Sequence, residues 1–278
     1  LVSRPAPLRN GQSCPILTSM SAVAVASSSA PPSALPVPGM GTRRDWKAAW
    51  VALRALLRNG DDTVQVFRIM RALNADVSAR NYHRLIEAPG GGRIAYRRRE
   101  LAELFSDPAY IASFAPGTVG AAYRDFLART GYSAMGLAEV ATSDNVPHET
   151  EHPYAWYGRR ERDIHDIWHV LTGYQADEPL GEAALVAFSF AQTRGWGWAA
   201  IAIGASLKAR RITGSWIFAR AVFEGWRRGK RARWLSGEDY EQLMHEPLDA
   251  ARWRLRLDEP VRYRETQRQL AEWRMTGL

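Results

Sequence analysis

Apolar residues recur along this chain at helical spacing. Trp46, Ala49, Trp50, Leu53 and Leu57 follow an i, i+3, i+4 pattern that Asn59-Gly60 closes. Asp61 or Asp62 then stands where a side chain can cap a second helix, with Val66, Phe67, Met70 and Leu73 along one face. The pattern predicts a short helix over residues 78–87, a break at 89–92, and another helix over 97–105 ahead of Pro108. A longer one over residues 119–130 is bracketed by Thr118 as its cap and Gly131 as its stop. Residues 135–150 read as a polar connector, and Pro153, Tyr154, Trp156 and Tyr157 as an aromatic packing plug. A central helix over 163–172 follows, then a Gly-Tyr…Pro-Leu-Gly connection and a second helix that Glu182 opens.

Beyond it lie Gly195-Trp196-Gly197-Trp198 and a small apolar run over 199–207. Even counted from Gly195 to Leu207, at about thirteen residues, the stretch is too short to span a bilayer. Ala200 and Gly204 lie on one side of it, which points to close helix packing, with a groove for a long hydrocarbon as the sharper alternative. Residues 252–274 read as a solvated final helix of mixed charge. Period-two alternation is missing throughout, so the expected fold is all-α. It is a single multi-helix domain over residues 45–278, preceded by a disordered leader over 1–44.

Composition changes this picture mainly at the leader. Residues 1–44 are rich in Ser, Ala and Pro and hold no acidic residue, a mixture that cannot bury enough apolar surface to offset its ordering entropy. The stretch resembles an organelle transit peptide, but Pro31, Pro32, Pro36 and Pro38 oppose an amphipathic helix, and Met20 and Met40 suit an extension upstream of the true start equally well. Arg4, Arg9, Arg43 and Arg44 carry half of the net charge of +8. The remainder is mildly basic, which gives no nucleic-acid footprint and no nucleic-acid partner. Downstream, Trp216, Trp226 and Trp234 alternate with Arg210, Arg211, Arg227, Arg228, Lys230, Arg231 and Arg233. Such a mixture suits an anionic membrane surface, with a merely solvated basic helix as the plain alternative. The single cysteine, Cys14, lies in the leader, so neither a disulfide framework nor thiol catalysis is available.

Four of the six histidines, His148, His152, His165 and His169, fall in one short segment. His165 and His169 are four apart, a net rotation of about 40° on a helix, and Asp166 is about 60° from His169, so the three side chains share one sector. Glu182 follows where a second helix can lie back across the first. Two imidazoles and one or two carboxylates form a divalent-metal site if they converge. Asp in place of Glu after the first histidine disfavours peptidase chemistry. A metal phosphohydrolase would need another His and Asp at the same ion, for which His152 and Asp177 are the nearby candidates.

The run Arg159-Arg160…Asp163…His165-Asp166-Ile167-Trp168-His169-Val170-Leu171-Thr172-Gly173-Tyr174, followed by Leu180-Gly181-Glu182, resembles the signature of the coenzyme Q-four family of ubiquinone biosynthesis proteins, H-D-x-x-H and then Glu after eleven or twelve residues. Pro116-Gly117-Thr118-Val119-Gly120…Tyr123…Phe126-Leu127 is similar to a second block of that family, and residues 225–233 with Tyr240-Glu241 to a third. The resemblance covers most of residues 45–250; the leader and the chain beyond about 256 have no counterpart in it.

It implies an all-helical fold and a zinc or other divalent cation on His165, Asp166, His169 and Glu182, the residues to which it also gives the catalytic role. The activity it implies is a metal-dependent oxidative decarboxylation at C1 of the polyprenylated ring. The partners are a prenylated quinone intermediate, the other ubiquinone-biosynthesis enzymes and a membrane surface, with a homodimer as a further option. The place would be peripheral on the inner membrane, on the cytoplasmic side in a bacterium or the matrix side in a mitochondrion. A non-catalytic isoprenoid-binding scaffold is the alternative role. Four ligands on a tetrahedral ion would leave no open position, so a structural site stays open beside a catalytic one.

Overall fold

The computed structural model of the protein describes residues 43–60, 62–142 and 152–273. The expected leader, apart from Arg43 and Arg44, lies outside the described residues, as do Cys14, Asp61 and His148. Among the described residues the regular structure is sixteen α-helices and one 3-10 turn, with no strand, as the apolar spacing predicts.

Helix α1 (Trp46–Arg58) is capped by Asp45, whose carboxylate accepts from the amide of Ala48 at 2.9 Å, and Asn59 ends it. It pairs with α2 (Thr63–Leu73) through Ala49, Ala52, Leu53, Leu56, Ile69 and Leu73. The expected apolar face of α1 is therefore turned. Trp46 and Trp50 are exposed, because the small alanine side chains let the neighbouring helices approach more closely than indoles would.

Helix α3 (Val77–Glu87) matches its predicted span within a residue, but the helix resumes inside the expected break as α4 (Gly91–Arg97). A Cβ on Gly91 would lie 1.7 Å from the carbonyl oxygen of Leu85, so only glycine permits this tight return. The predicted helix over 97–105 is not continuous. Arg98 adopts φ +45° and separates α4 from α5 (Leu101–Ser106), and Pro108 opens α6 (Pro108–Ala112) rather than ending what precedes it.

Helix α7 (Val119–Thr130) has its predicted bounds. Thr118 Oγ1 accepts from the amide of Ala121 at 3.2 Å, and Gly131 leaves at φ +70°. Part of the predicted connector is helical, as α8 (Gly136–Thr142). In α9 (Pro153–Asp163) Trp156 and Tyr157 are buried, which makes the aromatic run a packing element. The central helix α10 (His165–Thr172) is separated from α9 by Ile164.

The core is built around α11 (Pro179–Thr193), buried on nearly all sides from Leu180 to Ser189. Helix α12 (Trp196–Thr213) lies along it and along α1 and α2. A Cβ on Gly204 would touch Leu53 at 3.1 Å, as the small-residue pattern predicts for close packing. Helix α13 (Ile217–Arg231) presses its backbone on α11, since a Cβ at Gly225 would meet the Ala184 carbonyl oxygen at 2.4 Å. A 3-10 turn (Leu235–Gly237), α14 (Tyr240–Leu243), α15 (Leu248–Leu255) and α16 (Val261–Glu272) complete the fold.

Two expectations change here. The C-terminal segment is two helices, broken at Arg256 (φ +58°), and it is not merely solvated: Ala251, Leu255, Tyr263, Thr266 and Leu270 are buried. The alternating Trp and Arg residues do not share one face either. Arg228 is buried, Trp226 packs on the core, Trp234 lies under Arg84, and Trp216 is half exposed beside Arg210. No helix among the described residues is long and apolar enough to cross a membrane.

Candidate metal centre

Three side chains converge where α10 meets the first turn of α11. His165 opens α10, and His169 follows one turn later on the same face. Gly173, at φ +78°, ends the helix and turns the chain back, and Pro179 starts α11 so that Glu182 falls within its first turn. Gly181 makes the approach feasible, because a Cβ there would lie 1.9 Å from the carbonyl oxygen of Gln175. The donor atoms of His165, His169 and Glu182 all lie within 4.8 Å of one another, the one such group among the described residues. Glu182 divides its oxygens, Oε2 lying 3.6 Å from His165 Nε2 and Oε1 lying 3.2 Å from His169 Nε2. Two ligand atoms on one tetrahedral ion stand about 3.3 Å apart, given bonds of about 2.0–2.1 Å.

The protonation pattern of His169 fits a cation. Its Nδ1 lies 3.1 Å from the carbonyl oxygen of Tyr174, which can only accept, so Nδ1 carries the proton. In the neutral ring Nε2 is then a lone pair. That atom is buried, has no hydrogen-bond partner, and faces a carboxylate oxygen. Two facing lone pairs at this distance need a proton or a metal ion between them, and a backbone carbonyl on the far nitrogen is the usual outer partner of a ligating histidine.

Without a metal, the electrostatics describe the protonated form of the pair. Burial opposes ionisation of Glu182, yet His169 and His165 outweigh it and hold the carboxyl well below its usual range. For His165, burial lowers the imidazole, but the Glu182 carboxylate outweighs burial and raises it above its ordinary value. The His165 ring lies parallel to Trp198 of α12, with centroids 5.9 Å apart and planes at 7°. The His169 ring stacks on Phe126 of α7 at 6.1 Å and 16°. Glu182, with 42% of its side chain exposed, is the open side of the group.

Of the four residues predicted for the metal, three form the donor group and Asp166 is outside it. Asp166 is buried next to His165. Burial raises its carboxyl, the charges of His165 and His169 draw it down, and Glu182 pushes it up again. Neither His152 nor Asp177 joins the group: the His152 Nδ1 accepts from the amide of Tyr154 at 3.2 Å to cap α9, and Asp177 is exposed. The phosphohydrolase arrangement is therefore not formed. Residues at the back of the site went unread in the sequence. Arg252 donates from Nη2 to the carbonyl of Val170 at 2.9 Å and from Nε to that of Leu171 at 3.1 Å. Only an excess of arginine in the C-terminal part hinted at such roles.

Comparison with known proteins places this geometry in context. The family model described as coenzyme Q (ubiquinone) biosynthesis protein Coq4 matches residues 49–261, a span that contains all three donors. A mitochondrial ubiquinone biosynthesis protein of Neurospora crassa is 34% identical over 109 residues, which cover 39% of this chain and 29% of that protein. One from Podospora anserina is 28% identical over 192 residues, covering 68% of this chain and 60% of that protein. The chain thus spans about three-fifths or less of the length of these curated relatives. A crystal structure from Nostoc punctiforme, of a protein provisionally assigned to ubiquinone biosynthesis, shares the fold with a TM-score of 0.57 at 19% identity, covering 78% of this chain and 100% of that one.

Proposed function

The chain belongs to the Coq4 family of coenzyme Q (ubiquinone) biosynthesis proteins, and on that premise we propose that it is a metal-dependent enzyme acting at C1 of the polyprenylated ring. The observation that carries the metal half of this reading is the buried His169 Nε2 lone pair facing the Glu182 carboxylate. His165, His169 and Glu182 would hold a divalent cation, zinc or another, which would supply Lewis-acid polarisation of an oxygen ligand.

The protein's own groups prepare the site. The Tyr174 carbonyl holds the His169 proton on Nδ1, so Nε2 keeps its lone pair, and the Phe126 and Trp198 rings lie nearly parallel to the two imidazoles. Two imidazoles and one carboxylate leave positions for the carboxylate of a substrate. Asp166, buried next to the pair, is the group proposed to hold a proton close to the reacting ring. Replacing the ring carboxyl by a hydroxyl is a two-electron oxidation. The ring–carboxyl bond breaks and carbon dioxide leaves, a ring–oxygen bond forms to the oxygen of water, and dioxygen, the proposed oxidant, takes up the two electrons and two protons to leave as hydrogen peroxide.

The proposed setting is the surface of the membrane where the quinone is made, on the matrix side where the relatives' mitochondrial names apply, in company with other enzymes of the pathway. Exposed Trp46, Trp50 and Trp196, with the Trp46 and Trp196 rings 6.4 Å apart, support peripheral attachment.

The test is turnover of a carboxylated prenylphenol by purified protein supplied with metal and dioxygen, alongside elemental analysis. The reading expects a hydroxylated product and carbon dioxide from the wild type, and loss of both bound metal and product in His169→Ala. Prenyl lipid that copurifies without any turnover would instead favour the scaffold role.

A further inference from the structure

The Gly195-Trp196-Gly197-Trp198 motif supplies no metal donor, yet it reaches the centre, because the Trp198 indole lies parallel to and offset from the His165 ring. Its placement is built from close backbone contacts. The amide of Gly197 donates to Asn74 Oδ1 at 2.9 Å, and Asn74 in turn donates to Met70 Sδ at 3.1 Å, which ties the start of α12 to the end of α2. Both glycines ease that approach. A Cβ at Gly197 would lie 2.6 Å from Met70 Sδ and 3.2 Å from its Cα, and one at Gly195 would lie 2.8 Å from Asn74 Nδ2. The docked turn then brings Trp198 alongside the imidazole.

The two histidines differ in how their rings are fixed. His169 is pinned twice, by its Nδ1 bond to the Tyr174 carbonyl and by the Phe126 stack. His165 has no hydrogen bond of that kind: among the described residues nothing holds its far nitrogen, and its polar neighbour is the Glu182 carboxylate at 3.6 Å. Rotation about the ring bond of a histidine is soft and roughly two-fold, so an unpinned imidazole samples orientations that aim Nε2 away from the ion. A flat ring at 5.9 Å and 7° lies within the preferred range for offset aromatic pairs and restricts that rotation.

We propose that Trp198 is the positioning residue of His165, and that its parallel indole does for this ligand what the Tyr174 carbonyl does for His169. The inference rests on the metal reading above and adds to it a role for a motif that ligates nothing. It also assigns the two glycines and Asn74 to ligand orientation.

The test uses the full chain with zinc alone as probe, titrated in competition with a chromophoric chelator. Trp198→Leu keeps apolar bulk but loses the flat face, and it is expected to weaken zinc binding about tenfold, the scale on which outer partners of metal ligands act. Trp198→Phe keeps a flat face and is expected to stay within about threefold of wild type. Asn74→Ala leaves the indole in place but unties its helix, and should shift affinity in the direction of the leucine variant. In metal-free protein with labelled histidine, the His165 ring protons should carry an upfield ring-current shift that Trp198→Leu abolishes and Trp198→Phe retains.

Equal zinc affinity in wild type and Trp198→Leu, or an equal loss in both Trp198 variants, overturns the inference while the metal reading stands. A wild type that binds no zinc overturns both. A His165 signal that ignores Trp198→Leu overturns the positioning role whatever the metal does.

Discussion

Arg228, on α13, donates to the carbonyl oxygen of Thr172 at 3.0 Å and so closes the C-terminal end of the helix that carries both histidines. Arg252, on α15, takes the two carbonyls before it, Val170 and Leu171. An eight-residue helix is marginal alone. Two guanidinium groups at its C-terminus satisfy orphan carbonyls and oppose the negative end of the helix dipole. The rigidity of the centre thus comes from residues more than fifty positions downstream.

Arg252→Ala is accordingly expected to cost about 2 kcal/mol of stability, the scale for hydrogen bonds from a charged donor. Urea denaturation of the metal-free protein measures the loss. An unchanged midpoint would show that the cap is redundant with Arg228.

Glu182→Gln and Asp166→Asn separate the proposed ligand from its neighbour. The first removes the negative donor and is expected to weaken zinc binding by more than about a hundredfold, beyond what loss of an outer partner costs. The second alters a group outside the donor set and is expected to cost less than about tenfold. Isothermal titration with zinc decides, and comparable losses would return Asp166 to the ligand set.

The pH dependence should reverse sign when metal binds. In the metal-free protein the His165 imidazole is raised above its ordinary 6.5, so the stability from its pairing with Glu182 is complete below that pH and is lost as pH rises through the folded value. The Glu182 contribution, from a carboxyl held well below its ordinary 4.5, is complete above 4.5 and is lost only as pH falls into strong acid. Zinc requires the neutral imidazoles, so the stabilisation it adds grows with pH. Melting temperatures with zinc and with chelator should therefore diverge between about pH 5.5 and about pH 7.5. A constant gap would count against histidine ligation.

Gly181→Ala is expected to destabilise the fold by about 3 kcal/mol, the upper range for overpacking, because its methyl meets a backbone oxygen that cannot rotate away. The same shift would draw Glu182 off the imidazoles. Thermal melting and zinc affinity should fall together, and a stable variant with native affinity would contradict the close approach at Gln175.

Much of this molecule could be read one helix at a time. Capping by Thr118 and a stop at Gly131 bound α7 as predicted, and the spacing of His165 and His169 already placed both imidazoles on one face. Such features depend on torsions and hydrogen bonds within four or five residues, so local residue types determine them. The fold class and the shared direction of the two imidazoles belong to this category. Other features depend on residues distant in sequence. Which side of α1 is buried was settled by α2 and α12, and that left Trp46 and Trp50 outside. The burial of α16 was settled by the α13 and α11 surfaces it covers, and that of α15 by α10 and α7. Above all, the exclusion of Asp166, the carboxylate facing His169 and the indole beside His165 follow from a carboxylate and a ring brought in by other segments. Helical periodicity states which residues share a direction. Only packing of whole helices against one another decides what lies in that direction, because that choice minimises exposed area and unpaired polar groups over the entire chain at once.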